Sequence, residues 1–113
     1  MRVIARSTLT KFVDTLSGTK QRFAVKAALD AWFHEADRAD WRTPADVKAS
    51  YGTASIVAGE RVVFNIKGND YRLVTAINYG RSTVFIKWLG SHAEYDKIDV
   101  RNVSYGDQAY QKR

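Results

Sequence analysis

The chain has 113 residues, of which 45% are hydrophobic and 27% charged, and it contains no cysteine. This composition predicts one globular domain with its own core, and it excludes disulfides, thiol catalysis, iron–sulfur clusters and cysteine-ligated zinc. Eighteen Lys and Arg residues against 12 Asp and Glu give a net charge of +6, which favours a polyanionic partner but also suits an ordinary solubilising surface.

The N-terminal residues and the hydropathy along the chain indicate where in the cell the protein is expected. The first six residues lack the apolar run of a signal peptide, and no later stretch reaches membrane-spanning length. We therefore expect a cytoplasmic protein without membrane contact. Residues 2–5, Arg-Val-Ile-Ala, are short and rich in β-branched side chains, which predicts an initial strand.

Helical periodicity dominates the first half of the chain. Apolar residues spaced by three and four predict a first helix with Ser7 as its N-cap that stops at residues 17–18, and a longer second helix with Thr19 as its N-cap. Residues 43–46, Thr-Pro-Ala-Asp, place a capping hydroxyl before a proline and an acid, which predicts a short third helix ending by residues 51–52.

The second half has the pattern of a β-meander. Strands are predicted at residues 54–57, 61–66, 71–79 and 83–89, with short turns between them that favour antiparallel neighbours. Helices followed by strands predict an α+β domain, in which the N-terminal helices pack on one face of a small, mainly antiparallel sheet and the other face is open and basic. The whole chain, 1–113, forms this one domain, and residues 105–113 are expected to be a flexible tail.

Three basic residues are predicted to meet on the open face. A turn would bring Lys67 close to Arg72, and Lys87 can approach from the neighbouring strand, which would give a cationic concavity suited to phosphate. The alternative is that all three are solvated charges that protect the sheet from aggregation.

A histidine follows the last predicted strand directly. On a helical turn, Tyr95 and Asp96 share the face of His92, so that Asp96 could orient the imidazole while Tyr95 supplies a hydrogen bond or an aromatic plane. Such a histidine is a candidate general acid or base for phosphodiester chemistry. The alternative is a helix start with Ser91 as its cap and Tyr95 packed inward. The other histidine, His34, has no second histidine nearby, and no metal site is predicted.

Two sequence motifs give these residues a context. Residues 62–74 contain Phe-Asn-Ile-x-Gly-Asn-x-Tyr-Arg-Leu, and residues 90–96 contain His-x-x-Tyr-Asp. With these motifs, and with residues 43–48 upstream, the chain resembles a HigB-type toxin of the RelE/ParE superfamily over roughly residues 40–98. Those toxins are ribosome-associated messenger RNA endonucleases of bacterial type II toxin–antitoxin pairs, and the resemblance implies a RelE-like fold.

The resemblance also implies a reaction and a set of residues. The reaction is metal-independent and cofactor-free RNA cleavage, in which a ribose 2′-hydroxyl attacks the adjacent phosphate. His92 would act as acid or base, Lys67 would assist substrate binding or proton transfer, and Tyr95 would stack on a base or support the histidine. The complete assignment is catalytic residues His92, Arg72, Lys87 and Tyr95, RNA-binding residues Lys67, Asn69, Arg72 and Lys87, and an orienting residue Asp96.

The partners follow from the same resemblance. It implies a helix-turn-helix antitoxin of the HigA type, messenger RNA on the ribosome, and operator DNA reached only through the antitoxin. Two functions from other classes remain open at this stage. One is a non-catalytic module that binds RNA or the ribosome, and the other is a protein-interaction subunit that has lost nuclease activity.

Overall fold

The helices and strands follow one another in the predicted order. The computed structural model describes residues 1–104, and the predicted tail at 105–113 lies outside the described residues. Within the described part the elements are β1 (Arg2–Ile4), α1 (Ser7–Thr15), α2 (Arg22–Arg38), α3 (Pro44–Ser50), β2 (Ser55–Val57), β3 (Arg61–Ile66), β4 (Tyr71–Asn78), β5 (Thr83–Ser91) and α4 (His92–Tyr95).

The five described strands form one mixed sheet in the order β1-β5-β4-β3-β2. The three hairpin pairs β2–β3, β3–β4 and β4–β5 are antiparallel, and β1 pairs with β5 in parallel. The short turns explain the antiparallel pairs, whereas the parallel partners β1 and β5 are separated in the chain by three helices and three strands. The predicted α+β class with a mainly antiparallel sheet is confirmed.

The N-caps predicted for the first two helices are wrong, while the third is confirmed. Helix α1 begins at Ser7 itself and α2 begins at Arg22, and neither has a side-chain cap. The chain leaves α1 through Gly18 at φ +84°, so Thr19 belongs to the connection between the helices, where its hydroxyl donates to the carbonyl of Leu16. Helix α3 has the predicted capping box, in which Thr43 and residue 46 exchange hydrogen bonds.

One face of the sheet packs against the helices and contains most of the core. In β3, Val62, Phe64 and Ile66 alternate along the strand and are all buried on this face. The Phe64 ring lies 5.4 Å from the Trp32 ring of α2 and 5.9 Å from the Trp41 ring, measured between centroids. These aromatic contacts attach the long helix to the sheet.

The opposite face has a second, smaller core. Val63, Val74 and Trp88 are buried there. The residues packed against them come largely from the chain after β5, namely Tyr95, Ile98, Val100 and Val103, together with Val57 of β2. The face that the sequence predicts to be open is therefore covered in its middle, because an apolar row in three adjacent strands recruits the segment that follows α4.

Candidate active site

Arg72 stands on the sheet face opposite the helices, at the end of the sheet where the β3–β4 turn meets the end of β5. Its strand neighbours are Asn65 in β3 and Gly90 in β5. Arg72 Nη1 donates to the Asn69 carbonyl at 2.9 Å, and Nη2 donates to Asn69 Oδ1 at 3.0 Å. A longer bond of 3.3 Å joins Nη1 to the carbonyl of Tyr71. The turn thus fixes the orientation of the guanidinium group.

These hydrogen bonds do not use every donor of the guanidinium. The bonds to Asn69 and Tyr71 use both hydrogens of Nη1 and one of Nη2. A guanidinium has five N–H donors, so the Nε hydrogen and one Nη2 hydrogen of Arg72 are not used by these bonds. They form the planar fork that binds a phosphate or carboxylate through two parallel hydrogen bonds.

The β3–β4 turn adds a second cation. Lys67 Nζ lies 2.8 Å from Asp70 Oδ2, and this hydrogen bond is the main reason why the pKa of Lys67 is raised above its ordinary value. Lys67 adopts φ +52° and Gly68 follows at φ +62°, so the turn places a lysine in the left-handed region that favours glycine. The predicted proximity of Lys67 and Arg72 is supported by their shared turn, since Asn69 and Asp70 lie between them.

Helix α4 presents His92 beside this turn. Ser91 and Glu94 form a capping box, in which the Ser91 hydroxyl accepts from the Glu94 amide at 3.2 Å. The His92 amide donates to the Asp70 carbonyl at 2.9 Å, which ties the start of α4 to the β3–β4 turn. The His92 side chain is half exposed. The cap that the sequence analysis offered as a structural alternative is therefore present, and it also fixes the position of the candidate catalytic residue.

Tyr95 connects the helix to the arginine. Its ring lies 5.9 Å from Arg72 Cζ, within the range of a cation–π contact, and 6.4 Å from the Trp88 ring. Asp96, one residue further on, has Oδ2 4.0 Å from His92 Nε2. That distance permits electrostatic attraction but exceeds a hydrogen bond. Tyr95 thus lies beside Arg72, and His92 stands at the start of the same short helix, with Asp96 near its imidazole.

Lys87 is not joined to this cluster. Val74 pairs with Trp88 and Thr75 with Ile86, so Lys87 is the extra residue of a β-bulge in β5. Its ammonium lies 5.5 Å from the centre of the Phe85 ring rather than beside Arg72. The buried Val74–Trp88 pair separates the bulge from the Arg72–Gly90 pair along the strands. Sequence alone predicts neither the bulge nor this separation.

Gly90 is a residue of the site that the sequence analysis did not single out. A Cβ at this position would come within 2.6 Å of Trp88 Cζ2, so the Trp88 ring occupies the space next to the Gly90 backbone. A glycine here leaves room for the Trp88 ring beside the strand pair that Gly90 forms with Arg72. The Ser91 cap that the sequence analysis offered as an alternative marks the start of α4, but it gives no signal for the close approach at Gly90.

The charged groups described above do not include a cluster of metal ligands. Within residues 1–104, no three or more His, Asp or Glu side chains form a group that could hold a metal ion. The helices of the same part of the chain include none that is long and apolar enough to cross a membrane. The residues that the site offers to a ligand are therefore a guanidinium fork, an ammonium, an imidazole and an aromatic ring.

A small α+β domain with four helices and a five-stranded mixed sheet among its described residues is compatible with a RelE-like fold. The sequence profile of the HigB toxin family, described as the RelE-like toxic component of a toxin–antitoxin system, matches residues 25–98, or 74 of the 113 residues. The chain belongs to this family. It is a toxin of the HigB type, and such a toxin has an antitoxin as its partner. A comparison with curated proteins found no match to the chain.

Proposed function

We propose that the protein inhibits translation as a ribosome-dependent, metal-independent messenger RNA endonuclease. The observation that carries this proposal is that one turn, β3–β4, both orients the guanidinium of Arg72 and binds the backbone of the exposed His92. Membership of the RelE-like toxin family supports it.

The proposed reaction is an internal transesterification. The ribose 2′-oxygen attacks the adjacent phosphorus while the bond to the 5′-oxygen breaks, which leaves a 2′,3′-cyclic phosphate and a 5′-hydroxyl. The 2′-hydroxyl loses one proton and the departing 5′-oxygen gains one, so the step consumes no water or cofactor. His92 performs one of these proton transfers, because imidazole changes protonation near neutral pH.

Cations stabilise the charge that grows on the phosphate during this step. We assign the phosphate contact to the free fork of Arg72. Lys67 has a raised pKa because of its hydrogen bond to Asp70, so it retains its proton and contributes positive charge rather than acting as a base. The sequence suggested either substrate binding or proton transfer for Lys67, and the raised pKa favours substrate binding.

The remaining residues contact or orient the RNA in this proposal. Tyr95 offers a ring on which a base can stack, and Asp96, with Oδ2 4.0 Å from His92 Nε2, can help to orient the imidazole. Asn69 is exposed in the β3–β4 turn, where the proposal assigns it a contact with the RNA. Lys87 lies beyond Trp88, so it would bind a phosphate next to the scissile one rather than the reacting group itself.

The cellular context of the proposal has three parts. The protein acts in the cytoplasm on messenger RNA bound to the ribosome. A helix-turn-helix antitoxin of the HigA type neutralises it. The toxin contacts operator DNA only through that antitoxin. The net charge of +6 supports the attraction to ribosomal RNA, because long-range attraction does not require the charges to cluster.

Two substitutions test the site. Arg72→Ala and His92→Gln are each expected to slow cleavage by about 10²-fold or more, since each removes either charge stabilisation or a proton-transfer group. The measurement is growth after induction without antitoxin, together with mapping of new 5′ ends on cellular messenger RNA. In both variants growth should resume and the cleaved ends should disappear.

Matched variants control for loss of charge or of a histidine elsewhere. His34→Gln removes the other histidine, which is exposed on α2, and Arg81→Ala removes an exposed arginine in the β4–β5 turn. Both should remain toxic and produce the same 5′ ends as the unaltered protein. Growth arrest without any new 5′ ends would contradict the nuclease proposal and support a module that blocks the ribosome by occupancy.

A further inference from the structure

The segment that follows α4 seals the small core on the site's face of the sheet. We call residues 96–103 the C-terminal strap. Its apolar residues Ile98, Val100 and Val103 pack against the buried core of Val63, Val74 and Trp88. The strap has no regular secondary structure beyond turns, so its own backbone bonds are few and its position depends on what the sheet offers it.

Arg61 at the start of β3 holds this strap through main-chain oxygens. Its Nη1 donates to the Val103 carbonyl at 2.7 Å and makes a longer contact of 3.5 Å with the Val100 carbonyl. None of the ion pairs found among residues 1–104 includes Arg61. The guanidinium therefore uses its donors on the strap rather than on a carboxylate. Hydrogen bonds from a charged donor are about twice as strong as neutral ones.

The strap is shaped to accept these bonds. Asp99 accepts hydrogen bonds from the Arg101 amide at 3.1 Å and from Asn102 Nδ2 at 2.7 Å, and the Val103 amide donates to the Asp99 carbonyl at 2.8 Å. These bonds lower the pKa of Asp99, with the Asn102 bond the largest cause. The resulting turn directs the carbonyls of Val100 and Val103 towards Arg61.

The strap is continuous with the residues of the candidate site. The Ile98 amide donates to the Tyr95 carbonyl at 3.2 Å, so the first residues of the strap extend the last turn of α4. Tyr95 packs against Trp88 and faces Arg72, and His92 is at the other end of the same four-residue helix. A helix this short has little stability of its own, so its position depends on what anchors its ends.

We propose that Arg61 is a positioning residue of the active site, which fixes the strap and thereby holds Tyr95 and His92 in place beside Arg72. The Ser91–Glu94 capping box anchors α4 at its start, and the Arg61–strap contact anchors it beyond its end. The effect on catalysis rests on the proposed nuclease function. The effect on the strap and on α4 does not.

Amide hydrogen exchange tests the structural part of the proposal. In Arg61→Ala, the amides of Ile98 and Val103 should exchange about 10- to 100-fold faster, because the strap loses a charge-assisted bond. Amides in the centre of β4 should keep their rates. The matched control is Arg101→Ala, which removes the same charge from the strap itself. The Arg101 side chain is exposed, and its charge acts on Asp99 only electrostatically, without a hydrogen bond among residues 1–104, so exchange should change much less than in Arg61→Ala.

The two histidines supply a second readout that requires no RNA. In Arg61→Ala the imidazole proton signal of His92 should shift and sharpen as α4 gains freedom, while the signal of His34 on α2 serves as an internal reference and stays in place. Arg61→Lys keeps one donor and the charge, so both readouts should fall between those of the alanine variant and the unaltered protein.

Cleavage assays on programmed ribosomes complete the test. Arg61→Ala should lower kcat by about tenfold or more with little change in KM, because misplacement of reacting groups affects chemistry more than binding. Partial rescue by Arg61→Lys is expected. Unchanged strap exchange in Arg61→Ala, or an equal change in Arg101→Ala, would overturn the proposal.

The outcomes also separate this inference from the proposed function. If the unaltered protein cleaves no RNA, the nuclease proposal fails, and the exchange and imidazole measurements still decide whether Arg61 fixes the strap and α4. If Arg61→Ala does not fold, the exchange rates of Arg61→Lys decide whether Arg61 fixes the strap and α4. In that variant, a rise in exchange throughout the sheet overturns the proposal, and a rise confined to residues 92–103 supports it.

Discussion

The two faces of the sheet differ in what holds them together. The face towards the helices has a large core to which β1, α1, α2 and α3 all contribute, and three aromatic rings lie within 6 Å of the Phe64 ring. The opposite face has a core of three buried residues closed by a strap. One face thus supplies most of the stability, and the other has room for polar groups.

This difference explains how the site tolerates unpaired donors. Buried polar groups must be hydrogen-bonded, whereas partly exposed groups are compensated by water. Arg72 and His92 stand at the exposed edge of the lightly covered face, and the turn backbone orients them. The same groups placed among Trp32 and Phe64 would lose far more free energy through desolvation than their hydrogen bonds return.

Two adjacent valines of β3 offer the sharpest comparison of the two faces. Val62 is 0% exposed in the helix-covered core, and Val63 is 2% exposed in the small core. We expect Val62→Ala to lower the free energy of unfolding by about 2–3 kcal/mol and Val63→Ala by about 1–2 kcal/mol. Both lose the same methyl groups, but the strap can settle into the space that Val63 leaves. Urea denaturation of both variants measures the difference.

The same pair of variants predicts opposite functional results. Val63 lies beneath the strap, so Val63→Ala should reduce cleavage although it destabilises less. Val62→Ala should keep the activity of whatever fraction remains folded, because nothing beside Arg72 moves. Equal unfolding energies and equal activities would mean that the two faces act as one core, which would contradict the division proposed here.

A glycine substitution tests the packing next to the arginine. Gly90→Ala places a methyl group against the Trp88 ring, so the ring must move, at a cost of about 1–2 kcal/mol in unfolding free energy. Because Trp88 supports Tyr95, cleavage should fall as well. Gly80→Ala is the control. Its Cβ would meet only Asn78 Oδ1 at 3.6 Å, which is ordinary contact, so stability and cleavage should stay within experimental error.

The secondary structure was largely predictable from the sequence, because each strand is bounded by a turn signal. The predicted strand at 61–66 matches β3 at both ends, and the strand predicted at 71–79 differs from β4 by one residue. The third helix was located by its Thr-Pro-Ala-Asp pattern, whose capping box depends only on local contacts. The predicted Ser7 cap was wrong because Arg6 already has helical angles and α1 begins at Ser7 itself, and the predicted Thr19 cap was wrong because Thr19 lies in the connection after the left-handed Gly18.

The site was only partly predictable, because its geometry depends on contacts between distant residues. The proximity of Lys67 and Arg72 follows from a short turn and was predicted. The displacement of Lys87 arises from a bulge, and the cover over Val74 arises from a strap without periodicity. Neither leaves a local signature in the sequence. The role of Arg61 is also hidden, since its partners are carbonyl groups that every residue possesses.

The smallest expected effect concerns backbone strain at the site's turn. Lys67 and Ser82 have nearly the same left-handed φ, +52° and +51°, but only Lys67 lies in the site. Ser82→Gly should raise the free energy of unfolding by less than about 1 kcal/mol, since glycine removes the steric strain but adds freedom to the unfolded chain. Lys67→Gly should raise the free energy of unfolding by a similar amount. It should nevertheless lose cleavage, because it removes the ammonium group that is bound to Asp70. Thermal unfolding and 5′-end mapping measure the two quantities. If Lys67→Gly cleaved RNA as well as Ser82→Gly, the lysine would have no part in the site. The left-handed conformation at Lys67 would then have no link to function.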